Sequence, residues 1–528
     1  MKFERKSGVL LHPTSLPGKY GIGTIGKEAY KFIDWLVLGN QTLWQVLPLG
    51  PTGYGDSPYA SFSTYAGNPL LIDLESLVEK NWASSSVLKT PDYIKKDGNV
   101  DFGAVVWWKM PVLNECAEFF LNNASEEDLK MYKIFCKEKS SWLDKFAAFM
   151  SIKQFYDKKA ETEKPASSMW HTYWEPALAK CDESAIKEWE KNHKNEIENI
   201  KIIQFFFDYQ WNGLKKYANE KGISLIGDIP IFVAPDSADV WSNQKLFQLD
   251  ENGRPNCVAG VPPDYFCATG QLWGNPLYDW DAMKVEKYQW WVNRIKRIYE
   301  LTDVLRIDHF RGFEAYWSVP AGEETAINGK WVKGPGIDLF KTIKKKLGDI
   351  PVIAEDLGVI TDEVKKLRDD CNFPGMKVLQ FAFSPDEVRE HGMTNYFQPH
   401  MFDTSNCVMY TGTHDNDTLQ GWLENCNEEQ SLLVAQYIEG KALSAEKVES
   451  MIKNGQLRKN MIKAALASTA VFAIVPLQDI LGTDNSGRMN QPATTGCNWT
   501  WRFNGKELKD SYAQELKFLS QLYGRNIK

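Results

Sequence analysis

Three short segments end an apolar, β-branched run on a carboxylate: VLRIDHFRG at Val304–Gly312, PVIAEDLG at Pro351–Gly358 and YTGTHDNDT at Tyr410–Thr418. The acids are Asp308, Glu355 and Asp415. One acid at a strand end is ordinary. Three, on strands divided by crossover-length segments, predict the rim of a parallel β/α barrel, where catalytic groups collect at the C-terminal ends of the strands. Paired carboxylates at one site are also what glycoside chemistry needs, one as nucleophile and one as proton donor.

The rest of the chain fits that frame. Runs apolar on both faces, as buried parallel strands are, occur at Gly8–His12, Leu43–Leu49, Ile223–Ile229, Val304–Asp308, Val352–Glu355, Lys377–Phe383, Cys407–Thr413 and Ala470–Pro476. Helical periodicity fills many gaps, at Glu28–Leu38, Ile337–Leu347, Asp362–Asp369 and Met461–Ser468, with Thr361 placed to cap the third. Strand–helix alternation predicts an α/β fold with a parallel sheet. The reading is an α/β TIM (β/α)8 barrel with two additions. Residues 74–222 are too long for one crossover and predict a mostly helical subdomain inserted after strand 2. Residues 233–280, rich in Gly and Pro, predict a long loop insertion after strand 3; a loop of that length is usually functional when its aromatic content argues against disorder. Residues 1–73 and 223–528 then make the catalytic barrel.

Composition narrows the function. The chain of 528 residues carries a net charge of −8, and its lysines are interleaved with glutamates, which argues against a nucleic-acid partner. Nine cysteines show no metal-like spacing; the nearest pair is Cys257 and Cys267. The odd count reads as reduced thiols in a cytoplasmic protein. The opening MKFERKSGVLLHP has no signal-peptide core, and Ala464–Leu477, broken by Ser468, Thr469 and Pro476, is too short for a membrane span. Twenty tryptophans supply either core or stacking surfaces for sugar rings.

Individual residues carry open alternatives at this level. Arg306 and Asp308, two apart on a strand, leave on the same side, so the arginine either keeps a nucleophile ionised or forms a structural ion pair. Glu355 ends a buried strand near other acids and should hold its proton near neutral pH, as a general acid must; the alternative, a helix-capping acid, suits its neighbour Asp356. His414 and Asp415 suit sugar hydroxyls, with a neutral histidine and an ionised aspartate, or are loop chemistry. Asp228, in LIGDIPIFV, is a fourth strand-end acid, and Pro230 behind it predicts a change of direction. No Walker A, HExxH or GxSxG occurs, and GPTGYGDSPY lacks a phosphate loop's Lys-Ser/Thr ending.

Taken together, LLHPTSLPG, DSPYASFSTYAGNP, GDIPIFV, GVPPDYF, GQLWGNPLYDW, RIDHFRG, AEDLG, THDND and RMNQPATTGCNWTWR resemble the 4-α-glucanotransferases of glycoside hydrolase family 77. The blocks run in order over nearly the whole chain and are least family-like between Leu74 and Gly222. The resemblance implies Asp308 as nucleophile, Glu355 as general acid/base, and Asp415 with His414 on the reacting glucose. It also implies that Arg306 orients Asp308, that Tyr59 stacks under the reacting sugar, and that Trp273 binds the acceptor. Asp228 and His309 would line the site, and Asn490, Pro492, Asn498 and Trp499 would complete it from a C-terminal loop. DIPIFV lacks the Asn and His found there in many α-amylases, which implies no structural calcium. No metal and no cofactor is expected.

The expected activity is retaining transfer of an α-1,4-glucan segment from one maltooligosaccharide to the 4-hydroxyl of another glucan or glucose. The alternatives are an α-amylase-type hydrolase and a non-catalytic glucan-binding protein. Nucleic acid and membrane are excluded as partners; oligomeric state is not legible.

Overall fold

A computed structural model describes residues 3–263 and 267–526. Parts of two quoted segments, Met1 and Lys2 at the start and Asp264–Phe266 in GVPPDYF, lie outside the described residues. Twelve strands are described: β1 (Lys6–Leu10), β2 (Leu43–Gln45), β3 (Ser224–Pro230), β4 (Cys257–Val261), β5 (Gln271–Pro276), β6 (Val304–Asp308), β7 (Ala315–Pro320), β8 (Lys330–Lys333), β9 (Val352–Ala354), β10 (Gly375–Val378), β11 (Cys407–Tyr410) and β12 (Phe472–Pro476).

Strands β1, β2, β3, β6, β9, β10, β11 and β12 pair in parallel in that order, and β12 closes on β1. This is a TIM barrel, and all eight strands expected from the apolar runs are in it. Their burial explains why the runs lack alternation: every residue of β2, β9, β10, β11 and β12 is buried. Two details differ from the sequence reading. The sixth barrel strand spans Gly375–Val378, and Phe381–Phe383 forms a 3-10 turn that still buries Ala382 and Phe383. Burial alone cannot separate a strand from a buried helical turn. Strand β3 also runs straight through Pro230, which pairs with Asp308, and Ile231 N–H donates to the Asp308 carbonyl. A proline is tolerated at that strand end because no ladder N–H is needed from it.

The Gly/Pro-rich stretch after β3 is not one loop. It contributes β4 and β5, which join β7 and β8 from the next crossover in an antiparallel sheet ordered β5-β4-β7-β8. Gly260 permits the close approach of β4 to β5: a Cβ there would meet the Gln271 carbonyl oxygen at 2.5 Å. Such glycines depress the strand signal.

Between β2 and β3 the chain is mostly helical, with long helices Phe102–Asn123, Glu126–Glu163 and Lys194–Glu220. Asp101 and Ser125 cap the first two through their side chains. The third helix reaches back to the chain leaving β2. Gln204 exchanges paired hydrogen bonds with the Gly67 backbone, and Gln210 does the same with Asp73. Gly67 is pressed so closely on Phe207 that a Cβ would lie 1.9 Å from its ring. The helix Asp362–Asp370 begins after Thr361, whose side chain makes no capping bond to its backbone. Most tryptophans are core; Trp107, Trp273 and Trp331 are more than a third exposed. No described helix is long and apolar enough to cross a membrane.

Candidate active site

Asp308, Glu355 and the THDND turn converge at the C-terminal rim of the barrel, and Arg306 is the pivot. It stands opposite Asp228 in the β3–β6 register. Its Nη1 donates to Asp228 Oδ2 at 2.6 Å and its Nη2 to Asp308 Oδ1 at 2.8 Å. The guanidinium is buried, with both neighbouring carboxylates holding its charge. Asp228 is fully buried; burial pushes its carboxyl up to about 6 against the pull of Arg306, and its Oδ1 has no hydrogen-bond partner. Asp308 keeps 29% of its side chain exposed, toward the cleft.

Glu355 begins the loop after β9. The chain next to Asp308 turns into the left-handed region at His309 (φ 55°), an uncommon conformation for a residue with a side chain. That turn aims His309 N–H at Glu355 Oε2, 2.7 Å away, while Leu357 N–H holds Oε1 at 2.8 Å. Burial, then the Asp308 charge, raises the Glu355 carboxyl to about 7, although Arg306 and the two backbone donors pull the other way. Asp356 is not a helix cap. It accepts from Arg368 and from Met376 N–H, and so ties the loop to β10.

The strand β11 ends at Tyr410, so His414 and Asp415 sit on a turn rather than alternating. Asn416 Oδ1 closes this turn on Thr413 N–H at 2.8 Å. His414 Nε2 lies 3.3 Å from Asp415 Oδ2, and the Tyr59 ring stacks on the imidazole with centroids 5.0 Å apart. Burial opposes charge on His414, but Asp415 outweighs it and raises the imidazole pKa. Burial likewise works against ionised Asp415, yet His414 and Asn490 bring its pKa down to about 2. The carboxylate is 43% exposed, so solvent screens part of this attraction. Tyr59 also donates to Asp228 Oδ2 at 2.9 Å, which links the turn to the Arg306 centre.

The remaining expected residues divide. Asn490 donates to Asp415 Oδ1 at 2.6 Å, and Trp499 packs on Tyr59 and His414 at 5.7 Å each. Trp273 stands edge-on to His309, with centroids 4.8 Å apart. Pro492 lies in the exposed run between Asn490 and Trp499, and Asn498 turns its side chain onto Gln491 and Thr494, closing that loop. Three residues were missed. Arg488 binds Asp417 and the Asp415 carbonyl, holding the THDND turn. Asp479, just after β12, is buried between Thr411 and Leu419 N–H and raised by burial to about 6. His12, just after β1, is buried and held down to about 3, first by burial and then by His414. The strand-end rule that found Asp308 flags both Asp479 and His12; nothing local flags Arg488. No group of three or more metal-ligating side chains occurs among the described residues.

This arrangement places one arginine-paired carboxylate beside one proton-holding carboxyl, with a carboxylate–imidazole pair and the exposed Trp273 close by. Comparison with known proteins agrees. The family model described as 4-alpha-glucanotransferase, glycoside hydrolase family 77, matches residues 11–508. The 4-alpha-glucanotransferase of Streptococcus pneumoniae is 42% identical over 99% of this chain and 98% of its own. That of Thermus thermophilus is 43% identical over 99% of each chain. The structure of an amylomaltase from Streptococcus agalactiae in complex with acarbose superposes with a TM-score of 0.90, at 38% identity over 99% of this chain and 100% of the other. The chain therefore belongs to the 4-alpha-glucanotransferase family, glycoside hydrolase family 77.

Proposed function

We propose that Asp308 is the nucleophile and Glu355 the acid/base of a double displacement that moves an α-1,4-glucan segment between maltooligosaccharides. The observation that carries this reading is the contrast between the two carboxyls. Asp308 is bonded to Arg306, whereas Glu355 is held up to about 7 beside it. Carboxyls whose environments separate their protonation supply the nucleophile and the proton donor of a retaining glycoside site.

In the first step Glu355 protonates the leaving 4-oxygen while Asp308 attacks the anomeric carbon. The glycosyl–Asp308 ester carries no charge, so the largest electrostatic contribution raising Glu355 disappears, and the carboxyl, having given up its proton, stays ionised and ready to accept one. In the second step it takes the proton from the acceptor's 4-hydroxyl, which displaces Asp308 and restores the first configuration. Arg306 holds Asp308 in line, and Asp228 retains a partner for that arginine while Asp308 is esterified. Asp415, ionised and paired with His414, accepts hydroxyls of the reacting glucose, and Tyr59 and Trp499 wall it in. Trp273, at the sheet edge beside His309, receives the acceptor. The sheet around it shields the ester from water, in place of the simple loop that its composition suggests.

Residues 74–222 are read as a helical addition to a barrel made of 1–73 and 223–528. The odd cysteine count, nine, supports a reducing, cytoplasmic setting. A product time course on maltotriose tests the function. Oligosaccharides longer than the substrate are expected early; products that are only shorter overturn transfer in favour of hydrolysis.

A further inference from the structure

Three consecutive residues after β6 hold the loop that carries Glu355, the loop between β9 and helix Asp362–Asp370. His309 N–H donates to the Glu355 carboxylate, and Phe310 N–H donates to the Glu355 carbonyl at 3.0 Å. Arg311 Nη1 donates to the carbonyl of Val359, four residues further along the loop. Leu357 N–H, midway between these attachments, is the second backbone donor to the Glu355 carboxylate. Among the described residues, the Arg311 bond is the one hydrogen bond made to residues 358–360, and Gly358 and Val359 are exposed. The placement of the Leu357 donor, and with it that of the Glu355 carboxyl, therefore depends on an arginine that bonds to neither.

The setting of Arg311 is unusual for a cation. It is 5% exposed, its Nε is buried without a hydrogen-bond partner, and among the described residues no carboxylate forms an ion pair with it. Glu314, the acid whose charge reaches it, is bonded to Lys333 instead. The π-face of Trp331 takes the place of a counter-ion: the guanidinium lies 3.8 Å from the ring centre. Trp317 meets Trp331 edge-on at 5.2 Å and is itself fixed by its indole N–H on the Ala326 carbonyl at 2.8 Å. The arginine is thus pinned from the antiparallel sheet and spends its charge on a loop carbonyl. A bond from a charged donor is roughly twice as strong as a neutral one.

We propose that Arg311 is a positioning residue for the general acid: pinned by Trp331, it holds the loop from Glu355 to Val359 so that the Glu355 carboxyl faces the leaving oxygen. This deepens the transfer reading above and rests on it. The leaving group separates this role from general support of the fold. The 4-oxygen of a glucan needs a proton to depart, whereas fluoride departs without one. The test compares maltotriose and α-maltotriosyl fluoride as donors, at saturating glucose as acceptor, for the wild type, Arg311→Met and Glu355→Gln. In Arg311→Met, kcat/KM for maltotriose is expected to fall about ten- to a hundred-fold, the size of a misplaced catalytic group, while that for the fluoride changes less than about three-fold. Equal falls with both donors overturn the proposal, because the arginine then supports the site as a whole. An unchanged value for maltotriose overturns it too. If Arg311→Met does not fold, Trp331→Leu, which spares the arginine and removes its π-face, is read by the same criteria. Glu355→Gln tests the reading beneath: it should lose activity on maltotriose and keep it on the fluoride. Loss of both alike removes Glu355 as the acid, and the proposal with it; a selective loss there, beside equal falls in Arg311→Met, removes the proposal alone.

Discussion

Replacing Glu355 with glutamine separates the chemistry of this carboxyl from its cost to the fold. A group that ordinarily titrates at 4.5 is held up to about 7, first by burial and then by Asp308. That elevation costs the ionised form on the order of 3 kcal/mol relative to the unfolded chain. The sign follows from proton binding. Between those two values the folded protein binds more proton at Glu355 than the unfolded chain does, so stability falls as pH rises through the window, and the full cost is present above about pH 7. Glutamine has no charge and escapes it. It does bring one amide oxygen to two backbone donors, His309 N–H and Leu357 N–H, where Glu355 offers an oxygen to each. A donor left facing an NH2 group costs about 1–3 kcal/mol at any pH. Glu355→Gln is therefore expected to be less stable than the wild type at pH 4. By pH 8 the difference should have moved on the order of 3 kcal/mol in its favour, enough to close the gap or reverse it. Urea unfolding of both proteins, followed by circular dichroism in steps from pH 4 to pH 8, reads this difference. Turnover on maltotriose falls by at least ~10³ in the same variant, since the mechanism has no substitute for the group. A stability difference that stays constant across that range refutes the reasoning, because Glu355 would then titrate alike in the folded and unfolded chain.

Asp308→Asn is expected to lose at least ~10³ of the turnover on maltotriose while remaining folded, since no other group can form the ester; near-normal turnover removes it as nucleophile. Trp273→Ala should lower disproportionation more than hydrolysis, read as the ratio of lengthened products to total bonds cleaved; an unchanged ratio removes Trp273 from the acceptor side. Activity should survive dialysis against EDTA, because the described residues hold no ligand cluster; a loss that calcium reverses contradicts this.

The barrel was legible because each of its strands is buried on both faces and so reads as an unbroken apolar run. The four-stranded sheet was not. Its strands are partly exposed, β4 and β5 each carry a glycine, and together these two spell a loop. The site shows the same division. Arg306 and Asp308 are two apart on one strand, so their contact follows from the period of a strand. The contact of Arg306 with Asp228 depends on the register of β3 against β6, which no local pattern states. Asn490 and Arg488 reach Asp415 from more than seventy residues away, through a loop whose path is set only when the barrel closes. Asn498 lies in the same loop and turns inward on it, a difference that residue type could not foretell. The protonation of Glu355 followed from burial near other acids, but its backbone donors required the left-handed turn at His309.

The grip of Gln204 and Gln210 on the chain after β2 bears on how small such an enzyme can be made. The segment carrying Tyr59 hangs from two pairs of bonds to a helix 137 residues downstream, with Gly67 lying flat on Phe207. Helix Lys194–Glu220 is thus part of the foundation of the candidate site's Tyr59 wall, and heat that loosens it releases that wall as well. Trimming the helical region is an option only for the helices outside that grip. A shortened enzyme has to keep the last one, or rebuild in some other way the anchorage that two glutamines now provide.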